Sequence, residues 1–498
     1  MSYTLEKFFS FQESFLDEFM AEIGDKNDHQ SLNQKRYVVV DHLGNNLQQD
    51  RYTQNKDFKT ALLLSDSFDQ LKYYLDNKIG QKILQLYNND IIDLDLAENK
   101  LGPQGSQFLA DALKVNTSLN TLDLGFNKLG SQGGQFLAEA LKINKSLSTL
   151  DLGYNDLGPQ GSQFLTEALK VNTSLSTLDL RYNNLGPQGG QYLTEALKVN
   201  TSLTTLNLGD NNLSSQGGQF LAEALKVNKS LTTLNLGSND LGSEGGQSLV
   251  DALRVNTSLT NLDLWGNNLG PHGGQFLAEA LKINKSLTTL DLGFNGLNLQ
   301  GAQFLDEALK VNTSLTTLNL GDNNLGPQGG QFLAEALKVN KSLSTLDLRG
   351  NDLGPQGAQF LAEALKVNTS LTTLNLGYNN LGPQGAQFLA ETLKINTSLT
   401  NLNLWANNLG PQGGQFLAEA LKVNTSLSTL DLGDNNLDPI ESNQILDKLN
   451  KNKYHKEVTL PQLKIERLNI YLSLIYSKLS NDIVNELIDF HRNINYFE

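Results

Sequence analysis

The stretch LNTLDLGFNKL, residues 119–129, decides the fold. Its leucines alternate with polar residues, which is the pattern of a half-buried β-strand. Leu122 and Leu124 are expected to point into a core, while Asp123 points to the opposite face. Asn127 follows where the chain leaves the strand, and its amide can bond backbone groups of neighbouring turns.

The residues around this strand have the spacing of a short helix. In the stretch GPQGSQFLADALKVN, residues 102–116, Pro103 suits the first position of a helix, where no amide donor is needed. Leu109, Ala112 and Leu113 recur at helical spacing, so they should face the strands. The sequence therefore predicts a unit of one strand and one helix.

This unit repeats every 28 residues. The motif asparagine marks thirteen strands, at Asn99, Asn127, Asn155, Asn183, Asn211, Asn239, Asn267, Asn295, Asn323, Asn351, Asn379, Asn407 and Asn435. Helices are about 10 Å wide, whereas parallel strands lie about 4.8 Å apart, so stacking should curve the array. We expect an α/β horseshoe solenoid, with a parallel sheet on the concave face and helices on the convex face.

The 28-residue unit over residues 91–436 resembles the ribonuclease-inhibitor-like class of leucine-rich repeats. That class also occurs in NOD-like receptors, in Ran GTPase-activating protein and in effectors of intracellular bacteria. The resemblance implies a binding scaffold more than a particular activity. Two departures matter: the chain has no cysteine, unlike ribonuclease inhibitor, and it has no Walker motif, which excludes a complete NOD-like receptor.

The two ends do not follow the repeat. Residues 1–90 begin with an amphipathic helix predicted over residues 4–22, and residues 437–498 should contain a modified last helix near 440–451 and two more within 459–493. Both regions are expected to be mainly helical caps over the exposed ends of the array. A separate binding function of either end is the alternative.

The composition limits the function. The formal net charge is −15, and residues 91–436 carry 30 acidic and 20 basic side chains, which argues against nucleic acid as a partner. The acidic surface favours a basic protein, or serves solubility alone. Because there is no cysteine, disulfides and thiolate metal sites are excluded, and so is the class of leucine-rich bacterial ubiquitin ligases, which use a cysteine.

The sequence shows no catalytic constellation. The five histidines are scattered, and no triad, phosphate loop or metal cluster appears. We therefore expect no enzyme, no catalytic residue, no cofactor and no metal. The start of the chain does not look like a signal peptide, and no apolar run is long enough to span a membrane. The expected location is the cytoplasm, or a host cytosol after translocation.

Differences between the repeats indicate where a partner would bind. They concentrate at the two positions after the second strand leucine, which should lie on the concave face. Aromatic and arginine side chains, which dominate binding hot spots, occur there at Phe126, Tyr154, Arg181, Tyr182, Trp265, Phe294, Arg349, Tyr378 and Trp405. Two alternatives remain open: drift at an unconstrained surface, and mutual packing, in which Trp265 stacks on Phe294 and covers glycines.

A polar stripe runs between these side chains. It consists of Asp123, Asp151, Asp179, Asn207, Asn235, Asp263, Asp291, Asn319, Asp347, Asn375, Asn403 and Asp431. The stripe could recruit a basic partner or only keep the sheet hydrated. Packed aspartates repel one another, so some should have a raised pKa, and repeating spacing gives no closed metal cage.

Twelve Asn-x-Ser sequons, beginning at Asn116, follow the helices. Without a signal peptide, they favour capping of helix C-termini over glycosylation.

The predicted function is a protein-binding scaffold that engages its partner on the concave face. Three alternatives are kept. The chain could regulate a small GTPase like Ran GTPase-activating protein, which needs a finger arginine such as Arg181 or Arg349. It could be a bacterial effector that binds a host protein, or an array that associates with itself.

Overall fold

The computed structural model describes residues 91–454 and, before them, residues 82, 83, 85, 86 and 89. The chain divides into two units, Met1–Leu325 and Gly326–Glu498. The helices predicted within residues 4–22 and 459–493 lie outside the described residues.

The described part of the first unit alternates nine strands with eight helices. The strands are β1 (Asp93–Asp95), β2 (Thr121–Asp123), β3 (Thr149–Asp151), β4 (Thr177–Asp179), β5 (Thr205–Asn207), β6 (Thr233–Asn235), β7 (Asn261–Asp263), β8 (Thr289–Asp291) and β9 (Thr317–Asn319). The helices are α1 (Gly102–Val115), α2 (Gly130–Leu141), α3 (Gly158–Leu169), α4 (Gly186–Leu197), α5 (Ser214–Val227), α6 (Gly242–Leu253), α7 (Gly270–Ile283) and α8 (Asn298–Leu309). Consecutive strands pair in parallel and in register, so that each residue pairs with the equivalent residue of the next repeat, as Leu94 does with Leu122.

The described part of the second unit has the same alternation. Its helices are α9 (Gly326–Val339), α10 (Gly354–Leu365), α11 (Gly382–Leu393), α12 (Gly410–Leu421) and α13 (Pro439–Tyr454), and its strands are β10 (Thr345–Asp347), β11 (Thr373–Asn375), β12 (Asn401–Asn403) and β13 (Thr429–Asp431). The strands again pair in parallel and in order. The predicted α/β solenoid fold is therefore confirmed in both units, and the last helix predicted near residues 440–451 is α13.

The leucines form one apolar layer between the strands and the helices of each repeat. Leu122 and Leu124 of the strand side and Leu137 of α2 are completely buried. Full burial of such a side chain contributes about 1.5–3 kcal/mol. Because the layer recurs in every repeat, the core is continuous along a unit rather than gathered at one centre.

The motif asparagines form the predicted ladder. The Asn127 Nδ2 donates to the carbonyl oxygens of Leu96 and Leu124, at 2.8 and 3.0 Å, and its Oδ1 accepts from the backbone N–H groups of Asn99 and Leu101. The Asn127 side chain is completely buried, so these bonds replace water for backbone groups that the turn leaves unpaired. One amide thereby joins two successive repeats.

The sequon asparagines end their helices, as the sequence predicts, and their side chains also bond the preceding repeat. Asn116 is the C-cap of α1, with φ of −73° and ψ of 137°, and its backbone N–H donates to the Ala112 carbonyl oxygen. The equivalent Asn144 donates through Nδ2 to the Leu113 carbonyl oxygen at 2.8 Å, near the end of the helix of the preceding repeat. Its Oδ1 accepts from the Ser146 and Leu147 backbone N–H groups. These asparagines therefore end their own helices through the backbone N–H and bond the neighbouring helix through the side chain.

Paired glycines let the helices begin close to their own turns and to one another. A Cβ atom added at Gly133 would lie 2.7 Å from the Leu129 Cβ, which no packing tolerates. A Cβ added at the adjacent Gly134 would lie 3.2 Å from the Leu157 Cδ2, the end of a flexible side chain, and 3.4 Å from the Gly161 Cα. The first glycine is thus required by the turn, while the second only eases helix packing.

Candidate functional site

The outward residues of the strands, with the second and third residues after each strand, form a surface that we call the strand face. In β2 the middle residue Leu122 is buried, whereas Thr121 and Asp123 are half-buried on the other side. All nine residues predicted for partner binding lie at the two positions after the strand leucine, at the rim of this face.

The aspartates at the strand ends have a structural task. Asp123 Oδ1 accepts from the Gly125 backbone N–H at 2.8 Å, and Asp151 Oδ1 accepts from the Gly153 N–H at 2.7 Å. Asn207 does the same through its Oδ1 to the Gly209 N–H at 3.0 Å. Because asparagine closes this turn as well as aspartate does, the negative charge is not needed for the fold.

Three of these carboxyl groups have a raised pKa, as the sequence predicts. Burial is the largest cause at Asp151, Asp179 and Asp263. The charges of Asp179 and Asp123 raise the pKa of Asp151 further, and Asp291 does so for Asp263, while the backbone hydrogen bonds oppose the rise. Repulsion between aspartates is therefore real but secondary to burial.

Arg181 lies along the strand face instead of projecting from it. Its Nε is 3.4 Å from Asp179 Oδ2, and its Nη2 is 3.6 Å from Asp151 Oδ2. Its side chain also covers Gly153, where an added Cβ would lie 3.2 Å from the Arg181 Cγ. Arg181 therefore partly neutralises the charges of two aspartates. Its guanidinium does not project from the surface, as a finger arginine would.

Phe126, Tyr154 and Tyr182 form a continuous stack across three repeats. The ring centroids of Phe126 and Tyr154 are 3.8 Å apart, and those of Tyr154 and Tyr182 are 4.1 Å apart, with nearly parallel planes. Phe126 remains 47% exposed. Hydrogen bonds with Tyr154 and Asp210 raise the pKa of Tyr182 to about 12, so this hydroxyl stays protonated at neutral pH. We call these three residues the aromatic stack.

Trp265 and Phe294 form a second aromatic pair in the first unit. Their centroids are 5.5 Å apart, with 23° between the planes. Trp265 covers Gly293, where an added Cβ would lie 2.7 Å from the Trp265 Cδ1. The alternative of mutual packing thus describes part of this geometry, but Trp265 and Phe294 remain 41% and 58% exposed.

In the second unit, Tyr378 and Trp405 meet edge to face, with centroids 4.3 Å apart. Trp405 covers Gly433 and is half-buried, while Tyr378 is 47% exposed. The Arg349 backbone N–H donates to Asp347 Oδ1 at 2.8 Å. The nine predicted residues therefore fall into clusters on two units.

The aromatic stack occupies backbone positions that disfavour large side chains. Phe126, Tyr154 and Tyr182 have φ of 58°, 58° and 53°, in the left-handed region. This conformation costs about 1–2 kcal/mol for a residue other than glycine. Asp210 and Ser238 occupy the same position in the next two repeats, so the turn forms without an aromatic ring.

The polar stripe has one further member, before Asp123. Asp95 in β1 pairs in register with Asp123, and its Oδ1 accepts from the Ala97 backbone N–H at 2.9 Å. The spacing of 28 residues between Asp95 and Asp123 already indicated this position. The stripe therefore begins one repeat earlier, and its first four members are all aspartates.

Another set of exposed apolar residues lies away from the strand face, at the ends of the helices. Ile143, Val171 and Val199 are 56%, 54% and 58% exposed. These three side chains lie in the same repeats as the aromatic stack or in neighbouring ones. They form a second exposed apolar surface, with which the aromatic stack can be compared.

Within the described residues, no three or more histidine, aspartate or glutamate side chains are grouped so that they could hold a metal ion. Over the same part of the chain, each helix is too short or too polar to cross a membrane.

A family model described as "Leucine Rich repeat" matches eleven segments, together just over half of the chain. The segments are residues 115–138, 144–165, 171–193, 199–222, 227–250, 255–278, 284–305, 311–334, 339–362, 367–390 and 423–439. No curated protein sequence matches the chain.

Several solved structures are similar to this chain. The leucine-rich repeat-containing protein LegL7 from Legionella pneumophila is 24% identical, over 61% of this chain and 97% of that one, with a TM-score of 0.42. The Rad7 and Elc1 complex in yeast gives 17% identity over 83% and 96% of the two chains, with a TM-score of 0.47. The actin-binding site 2 of leiomodin-1 gives 22% identity over 33% and 95%, with a TM-score of 0.31. At these TM-scores the likenesses carry no further argument.

Proposed function

We propose that the chain, which belongs to the leucine-rich-repeat family, binds a partner protein on the strand face of its first unit. The observation that carries the proposal is the exposed aromatic stack of Phe126, Tyr154 and Tyr182. Stacking contributes only about 0.5–1.5 kcal/mol per ring pair, and the turn does not require the rings, because Asp210 and Ser238 adopt the same backbone conformation. The rings therefore add little to folding, and large exposed aromatic area is typical of binding surfaces.

The proposed partner contacts this face with a basic segment. Asp95, Asp123, Asp151 and Asp179 lie side by side in the first four strands, beside the stack. Arg181 neutralises only part of this charge. An acidic face beside aromatic rings suits lysine and arginine side chains, which pair with carboxylates and lie over rings.

The experiment is a comparative affinity purification. In the test variant, F126S/Y154S/Y182S, each ring gives way to serine, which Ser238 shows to be compatible with this backbone position. The control variant, I143S/V171S/V199S, removes exposed apolar area away from the strand face. Mass spectrometry should show partners that the control retains and the test variant loses. Equal recovery with both folded variants would overturn the proposal.

Leucine-rich-repeat scaffolds are typically not catalytic, and we propose that this chain is no exception. Regulation of a small GTPase and the role of a bacterial effector stay predictions from the resemblance. The pairing of Arg181 with Asp151 and Asp179 gives the GTPase alternative no support. The absence of cysteine fits work in a reducing cytosol, its own or a host's.

We also propose that residues 1–90 and 437–498 cap the array of residues 91–436. Leu430 and Leu432 of the last described strand region are only half-buried, whereas the equivalent Leu402 and Leu404 are 2% and 0% exposed. With α13 these leucines line an open groove of about 410 Å³. The apolar end of a solenoid needs a cover, which residues beyond α13 would supply.

A further inference from the structure

Aspartates and aromatic rings occur together in the same repeats of the first unit. Between β2 and β9, each strand that ends in aspartate is followed by an aromatic side chain within three residues, and each strand that ends in asparagine is not. The aspartate repeats are Asp123 with Phe126, Asp151 with Tyr154, Asp179 with Tyr182, Asp263 with Trp265, and Asp291 with Phe294. The asparagine repeats are Asn207 with Asp210, Asn235 with Ser238, and Asn319 with Asp322.

The strand face of the first unit therefore carries two patches that combine aspartates with aromatic rings. The first patch comprises β2 to β4 and carries the aromatic stack, and the second comprises β7 and β8 and carries the Trp265–Phe294 pair. Between them lie β5 and β6, where the strand ends are Asn207 and Asn235. Asn207 marks the edge of the first patch, where its Nδ2 donates to Asp179 Oδ2 at 2.9 Å. Asn319 marks the edge of the second in the same way, where its Nδ2 donates to Asp291 Oδ2 at 2.8 Å.

Each patch offers a cationic side chain two kinds of contact. The strand-end carboxylates use Oδ1 to close their own turns, as at Asp263, where Oδ1 accepts from the Trp265 backbone N–H at 2.8 Å. Neighbouring carboxylates lie one strand spacing apart, about 4.8 Å, so their charges repel. Arg181 offsets part of this repulsion at Asp151 and Asp179, and a cation of the partner would offset more. The exposed rings beside them provide faces for lysine and arginine, an attraction of about 0.5–2 kcal/mol per contact.

The spacing of the patches sets the shape of the partner segment. From β4 to β7 there are three strand spacings, about 14 Å, and the patch centres lie about 22 Å apart. An extended chain advances about 3.3 Å per residue, so about four to seven residues bridge the two patches.

Building on the proposed function, we infer that the partner binds through one extended segment with two basic clusters. One cluster contacts Asp123, Asp151 and Asp179 with the aromatic stack, and the other contacts Asp263 and Asp291 with Trp265 and Phe294. An uncharged linker crosses the asparagine strands β5 and β6 between them.

The test measures the binding of labelled synthetic peptides to the full chain by fluorescence anisotropy. One peptide has two Lys-Arg pairs joined by about five Gly and Ser residues, which matches the distance between the patches. A second peptide has the same two pairs joined by a single residue, so its charge is equal but its reach is too short. Because the second contact becomes intramolecular, we expect the matched peptide to bind at least about tenfold more tightly.

Two protein variants separate the second patch from general charge effects. D263N/D291N removes two carboxylates, and Asn207 shows that asparagine keeps the turn. The control, D156N/D240N, removes two charges at exposed turn positions where Asn184 and Asn212 stand in other repeats. We expect D263N/D291N to abolish the preference for the matched peptide and the control to retain it.

Equal binding of the two peptides to the unaltered chain would overturn the inference, and so would equal losses in the two variants. If the peptides fail in this way while F126S/Y154S/Y182S still loses its captured partner, the two-cluster segment is wrong and the proposed function stands. If that variant keeps every partner, the proposed function is wrong too.

Discussion

At the scale of single residues, the strand-end position has an oxygen that the turn needs and, in aspartate, a charge that the turn does not need. Asparagine and aspartate both close the turn through Oδ1, as Asn235 and Asp263 do in successive repeats. At Asp151, Asp179 and Asp263 the aspartate adds a half-buried charge, which costs stability when it is ionised. A carboxylate at this position is therefore best explained by something outside the fold, such as a basic partner.

This cost gives a prediction for Asp263→Asn. Burial raises the pKa of Asp263, so the folded chain holds its proton more firmly than the unfolded chain does. The destabilisation is absent below the unfolded pKa of about 3.9, grows as the pH rises, and is complete above the raised folded pKa. We expect the variant to unfold at a higher temperature than the unaltered chain at pH 7, and thermal melts across pH measure this. A gain confined to acidic pH would contradict the account.

The motif asparagine differs from the strand-end residue, because the fold depends on the hydrogen bonds of its side-chain amide. Asn211 is completely buried, donates to the carbonyl oxygens of Leu180 and Leu208, and accepts from the backbone N–H groups of Asn183 and Leu185. Alanine would leave the buried N–H groups of Asn183 and Leu185 without this acceptor. The Leu180 and Leu208 carbonyl oxygens would keep the Nδ2 groups of Asn183 and Asn239.

We expect Asn211→Ala to lower the free energy of unfolding by about 2–4 kcal/mol, since each orphaned buried group costs about 1–3 kcal/mol. Gln219→Ala removes an exposed amide from α5 and should change it by less than about 0.5 kcal/mol. Urea denaturation of both variants makes the comparison. Similar values would show that the ladder does not stabilise the stack.

At the scale of elements, two adjacent glycines of α2 have different roles. Alanine at Gly133 would place its Cβ 2.7 Å from the Leu129 Cβ, in the turn that begins the helix. Alanine at Gly134 would lie 3.2 Å from the Leu157 Cδ2, the end of a side chain that can shift, and Ala302 occupies the same repeat position in α8.

We therefore expect Gly133→Ala to destabilise the chain by about 1–3 kcal/mol, the usual cost of overpacking. Gly134→Ala should be neutral within about 1 kcal/mol. The two variants differ by one position and one methyl group, so chemical denaturation compares them directly. Equal destabilisation would mean that helix packing, and not the turn, selects glycine here.

The sequence predicts most of the fold because the same pattern of leucines and asparagines recurs in each repeat. The alternation around Leu122 and Leu124 predicts the strands, and the asparagine ladder follows from the position of Asn127. The sequence predicts that Asn144 ends its helix, but it does not predict the second bond, from its side chain to the Leu113 carbonyl oxygen of a neighbouring repeat. A bond between repeats depends on the stacking geometry, which one repeat does not contain.

Less of the candidate site could be predicted. The sequence indicates where side chains vary, but only the structure shows that Phe126, Tyr154 and Tyr182 stack while Arg181 lies back on Asp151 and Asp179. These orientations depend on χ angles and on left-handed backbone positions, which the residue types leave open. Asp95 was within reach of the 28-residue spacing and was overlooked.

At the scale of the whole molecule, each unit combines an even framework with an uneven surface. Leucine and asparagine positions repeat closely, so they provide stability without distinguishing one repeat from another. The strand face differs from repeat to repeat, and from β2 to β9 the strand-end aspartates and the aromatic side chains fall in the same repeats. A partner can therefore recognise particular repeats within a nearly uniform array.

The central claim is that the strand face of the first unit is the binding surface. Because the chain has no cysteine, single thiols can be introduced by Thr177→Cys in β4 of the strand face and by Glu195→Cys on the exposed side of α4. The measurement is the rate of thiol alkylation with and without the captured partner. The account predicts that the partner slows labelling of the thiol at position 177 at least about tenfold and leaves the thiol at 195 unchanged. Protection at 195 with free labelling at 177 would contradict it.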